Sequence, residues 1–104
     1  MLGGMALTTR SRSRNMKPTL GRIVHYQLSE RDAQRIAARR DGAGIVWNLA
    51  KEGDVYPLII TRLWGEEETS AFNGTVLLDG PDTFWVTSTS IGDGPAKCSW
   101  PPRI

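Results

Sequence analysis

Flat rings, guanidinium forks and hydroxyls are the chemistry-bearing side chains of this sequence, and bond-breaking groups are scarce. Four tryptophans fall in 104 residues, a high count for so short a chain. Trp85 lies in a strand-like run, Trp64 at the end of another, Trp47 in a loop and Trp100 near the terminus. An indole at the end of an element fills a small core or presents a face on which another flat group stacks. Trp64, Trp85, Trp100 and Tyr26 are therefore candidate platforms for a base, because stacking accepts any π-face. Arg22 and Arg62 stand within or beside strand-like runs rather than in a tail. A guanidinium there faces solvent or pairs with phosphate oxygens. His25, Thr87 and Ser88 could orient such a ligand through hydrogen bonds, or serve as polar decoration of a strand.

Catalysis has little to work with. His25 and Cys98 are the only histidine and cysteine, so one chain cannot assemble the three or four strong ligands of a usual zinc site. No G-x-S-x-G elbow accompanies His25, and no phosphate-binding glycine loop is present. Gly92-x-Gly94 is too short to count. The inventory predicts a binder rather than an enzyme, with no cofactor and no metal.

These groups must be positioned by a small fold. A chain of this length holds one domain and buries a modest fraction of its surface, so self-association into a homo-oligomer is expected. The formal charge of +2 is misleading. Arg10, Arg12 and Arg14 sit in the first 15 residues without any acid. The other 10 basic and 11 acidic residues leave a body of about −1. A nucleic-acid binder would carry its positive charge on a folded face, so nucleic acid is disfavoured. No apolar run reaches the roughly 20 residues of a membrane span. A lone cysteine fits a reducing compartment, and the cytoplasm is the expected location. Residues 1–16 read as a disordered basic leader and 17–104 as a single small β domain.

Within that domain, 22–28 is rich in β-branched and aromatic residues and predicts a strand. Ser29 with Asp32 has the spacing of a capping box, with aspartate weaker than the preferred glutamate. The spacing predicts a surface helix to about Arg40, ended by Gly42, with Ala33, Ile36, Ala37 and Arg40 on one narrow face. Strands are predicted over 55–64, 72–78 and 83–89. Pro57 is expected at an edge, a bulge or a strand start, and Gly74 at a bulge. The final Ser99-Trp100-Pro101-Pro102 cannot be helical. The fold class is mostly β: a small SH3-like barrel or strongly bent antiparallel sheet with one inserted surface helix.

The run Lys17-Pro18-Thr19-Leu20-Gly21-Arg22-Ile23-Val24-His25-Tyr26 resembles the opening of a widespread family of small bacteriophage proteins. Gly53-Asp54-Val55-Tyr56-Pro57, Val76-Leu77-Leu78-Asp79-Gly80, Trp85-Val86-Thr87-Ser88 and Trp100-Pro101 continue the likeness across roughly residues 17–104. The chain departs at its end. Cys98-Ser99-Trp100-Pro101 stands where an aromatic or His-rich Trp-x-Trp-Pro ending is expected, so no role is carried over to position 98. The resemblance implies a likeness to phage anti-defence sponges. Such sponges hold cyclic nucleotide signals of bacterial immunity, as in CBASS, without cleaving them. It implies an immune-evasion protein acting in the host cytoplasm, with a nucleotide signal as its partner. A phage structural module or host-protein binder is the alternative.

Overall fold

Strand β1 (Ile23–Gln27) shows how the sheet separates inside from outside. Val24 and Tyr26 are buried, while Ile23 is exposed and His25 and Gln27 are half-buried. That is the period-two alternation of a strand with one covered face. The computed structural model describes residues 16–44 and 49–102. The expected leader falls, up to residue 15, outside the described residues, as does Trp47.

Helix α1 (Glu30–Ala43) follows immediately. Ser29 Oγ accepts from the Asp32 N–H at 3.0 Å, and Asp32 Oδ2 accepts from the Ser29 N–H at 3.0 Å. The capping box is complete despite the shorter aspartate. The helix outlasts its expected stop. Gly42 stays helical, and Gly44, at φ +71°, turns its N–H back to the carbonyls of Arg40 and Asp41. Glycine takes this left-handed conformation without a Cβ clash. The buried stripe is Asp32, Ile36 and Arg40, one residue round from the expected face, and Ala37 is exposed. The shift follows from Asp32, which Tyr26 draws inward by a hydrogen bond.

Three longer strands complete the frame: β2 (Val55–Leu63), β3 (Phe72–Leu77) and β4 (Thr83–Thr89). A two-residue β5 (Cys98–Ser99), which no strand expectation covered, adds to them. It is too short to show alternation, and it forms because β1 offers it an edge: His25 pairs with Ser99 and Tyr26 with Cys98. The protein is thus mostly β, one antiparallel sheet of order β4-β3-β2-β1-β5 with a single helix.

The sheet bends back on itself. Beyond β4, Ile91 bridges Cys98 in parallel, the Cys98 N–H reaching the Ser90 carbonyl at 2.9 Å. Register shifts at Thr61, between Ile60 and Arg62, and between Phe72 and Gly74 add local twist. Pro57 lies near the start of β2. The Ile60 N–H points to β1, where it meets the Arg22 carbonyl. By alternation the side of Pro57 that lacks an N–H faces β3, whose pairing with β2 begins only at Leu58. Val24, Leu28, Leu58, Ile60, Phe72 and Val76 form the centre of the core, with Ile36 closing it from the helix.

The far half of α1 is tied to the β3–β4 turn. Asp82 Oδ2 accepts from Arg39 at 2.5 Å and from Arg40 Nε at 3.0 Å, and Arg39 also donates to the Thr83 carbonyl at 2.9 Å. The near half of the helix stands away from β4. Among the described residues, no helix is long and apolar enough to cross a membrane.

Candidate binding site

The gap between the start of α1 and strand β4 is a cleft of about 230 Å³. Ser29, Arg31, Asp32 and Arg35 form one wall and Phe84, Trp85, Val86 and Thr87 the other, with Tyr26 and Ala96 also lining it. Arg31 and Arg35 are four residues apart, which puts both on one helix face. Both are exposed, and the Arg35 guanidinium lies 5.5 Å over the Phe84 ring. Alternation on β4 turns Phe84 and Val86 toward the helix and leaves Trp85, 59% exposed, at the outer edge of the cleft on the outward face of the sheet.

Tyr26 is a correction to the expectation of an open platform. It is 1% exposed, and its hydroxyl donates to Asp32 Oδ2 at 2.5 Å. Alternation places it inward on β1, so its ring serves the core and only its vicinity reaches the cleft. Burial first, and then the hydrogen bond to Asp32, push its phenol well above the ordinary range. It therefore stays a proton donor, and it helps to satisfy the Asp32 carboxylate along with the Ser29 N–H.

A second arrangement meets the cleft at Thr87. Asn73, buried on β3, accepts three hydrogen bonds at its side-chain oxygen: from Trp64 Nε1 at 2.9 Å, Thr87 Oγ1 at 3.0 Å and the Ser88 N–H at 2.9 Å. Ser88 has φ +59°, an uncommon conformation for a non-glycine residue. The Asn73 oxygen compensates by satisfying its N–H. Arg62 stacks its guanidinium 4.3 Å over Trp64, which is 53% exposed. Arg62, Trp64, Thr87 and Ser88 were expected as site residues, and Asn73 gathers them.

The remaining candidates lie elsewhere. Arg22 covers Trp100 at 4.8 Å, and Trp100 packs partly against the core. His25 lies on β1 opposite Pro57 and Ser99. None of the three lines the cleft. His25 is on the outward face of β1, the opposite face from Tyr26, which borders the cleft.

Sequence reasoning missed Arg31 and Arg35. Their i, i+4 spacing was a usable signal, but only the fold shows that they border a cleft against β4, with Arg35 over the Phe84 ring. Among the described residues, no three side chains of His, Cys, Asp or Glu gather as a metal site would. The cleft offers two guanidinium groups and a hydroxyl, with the flat ring of Trp85 at its outer edge. That set can hold a planar anion through stacking and charge-assisted hydrogen bonds.

Fold and site together define a small mostly-β domain with a helix spanning one side of its sheet and an arginine-flanked cleft beneath. The chain matches no family model, no curated protein and no solved structure.

Proposed function

We propose that this chain binds and sequesters a nucleotide-type signal, a cyclic nucleotide or a relative of one, without cleaving it. The observation that carries this reading is a cleft bordered by Arg31 and Arg35 on one side and by β4 on the other, with the exposed Trp85 indole at its outer edge. A base on the indole gains about 1–3 kcal/mol from stacking. A phosphate between the arginines gains charge-assisted hydrogen bonds, and Thr87 is placed to meet a sugar or phosphate oxygen. The cleft, at about 230 Å³, is smaller than the roughly 300–1,000 Å³ of sites that enclose a whole ligand. It suits one base and its phosphate, with the remainder of a larger ligand emerging past Thr87.

The likeness to bacteriophage proteins gives this reading its setting: an immune-evasion sponge in the cytoplasm of an infected bacterium, possessing the signal but not destroying it. Calorimetry with a panel of cyclic mono-, di- and trinucleotides tests it. At least one ligand is expected to bind with Kd below about 10 µM, near 7 kcal/mol, and to be recovered intact. Trp85→Ala is expected to weaken that binding at least about tenfold, and Arg31→Ala or Arg35→Ala by a similar factor. Silence across the whole panel ends the proposal.

A phage structural or protein-interaction module is the second reading. It is supported by Trp64 exposed beside Arg62, residue types that dominate protein-binding hot spots.

A further inference from the structure

The outward face of the sheet is uncharged over most of its area, with Arg62 as a cation near the end of β2. Its other positions follow from the register: Ile23, His25 and Gln27 on β1, Val55, Pro57 and Ile59 on β2, Thr75 and Leu77 on β3, and Thr83 and Trp85 on β4. None is Asp, Glu, Lys or Arg, in a chain with 23% charged residues. Ile23 is 49% exposed, Val55 53%, Leu77 38% and Trp85 59%. An outward strand face in water ordinarily carries polar and charged residues.

We infer that this face docks on the same face of a second copy, making a two-fold dimer of sheet packed on sheet. Three observations favour a second copy over other occupants. The first is the uncharged centre: without cations there, it has little to attract nucleic acid or an anionic membrane surface, whereas it matches itself. The second is area. The exposures correspond to roughly 600 Å² per copy, so a pair buries about 1,200 Å², the lower end of stable, specific interfaces.

The third is the arrangement of charge at the strand ends. Arg22 and Arg62 lie where β1 begins and β2 ends, while Glu52 and Asp54 lie at the opposite end, just before β2. A two-fold axis crossing the strands runs the two sheets antiparallel. It then brings Arg22 and Arg62 over Asp54 of the partner subunit, and the reverse. Charge at the rim around an apolar centre is the ordinary anatomy of an interface.

This inference does not depend on the nucleotide reading, since Trp85 is the one residue shared by the face and the cleft. The test therefore avoids Trp85. Sedimentation of the full chain, free of nucleotide, at about 100 µM is expected to give twice the 11.5 kDa of one chain. Ile23→Glu and Val55→Glu each place a carboxylate in the apolar centre at a position already exposed. Each is expected to sediment as a single chain while keeping the wild-type circular dichroism spectrum and a cooperative melt. Any other wild-type mass overturns the proposal, as does either folded variant remaining a dimer. Nucleotide binding by the monomeric variants reports on the cleft separately.

Discussion

Asn73 is the residue on which the site's geometry turns. Its side-chain oxygen holds the Trp64 indole, the Thr87 hydroxyl and the strained Ser88 backbone at 2.9–3.0 Å. Asn73→Ala leaves the Ser88 N–H without this acceptor and is expected to destabilise the fold by about 1–3 kcal/mol. The same change frees Trp64, so its fluorescence should shift to the red. Asn73→Asp keeps an acceptor and should retain most of the stability. Gly74 beside it is fixed for a different reason. A Cβ there would collide with the Leu58 side chain and stand 2.8 Å from the Ile59 carbonyl oxygen. Leu58 is fully buried and has no room to withdraw. Gly74→Ala is thus expected to cost about 1–3 kcal/mol in denaturant titrations.

At the scale of elements, helix α1 is held at both ends by aspartates. Asp32 fixes its start through the capping box and Tyr26. Asp82 fixes its far half through Arg39 and Arg40. Arg40 is buried, so loss of Asp82 matters more than loss of a surface ion pair. Asp82→Ala is expected to lower stability by about 1–3 kcal/mol and to speed amide exchange in the second half of the helix first. The cleft belongs to this scale too. It exists because the helix is pinned to the turn before β4 at one end and to β1 at the other, leaving a gap between.

The whole molecule should weaken at alkaline pH. Burial lifts the Cys98 thiol from an ordinary 9.0 to about 11, against the smaller lowering effects of Thr89 and Lys97. The Tyr26 phenol is raised as well, by burial and by Asp32. In both cases the folded chain keeps protons that the unfolded chain gives up. Their stabilising contribution is therefore complete below about pH 9 and declines as pH rises toward about 11 and beyond. Melting temperatures measured across that window should fall, and Cys98→Ala together with Tyr26→Phe should flatten the slope. The same burial predicts that thiol reagents reach Cys98 only on unfolding.

Local signals were enough for the main elements. Thr83–Thr89 stands as the strand expected there, and the Ser29–Asp32 box starts the helix. These features rest on neighbours within a few residues, and hydrophobic period and capping chemistry report such neighbours directly. The ending of α1 and the two-residue β5 were not legible, because each depends on what the rest of the chain offers: carbonyls for Gly44, a free edge on β1 for Cys98 and Ser99. The site divides in the same way. Residue type marked Trp85, Arg62, Trp64, Thr87 and Ser88. Only the tertiary structure turned Tyr26 inward, moved Arg22, His25 and Trp100 away, and brought Arg31 and Arg35 to a cleft bordered by a strand about 50 residues along the chain. A sequence encodes which groups can stack or pair; which of them meet is decided by strand order and by the anchoring of a helix across the sheet.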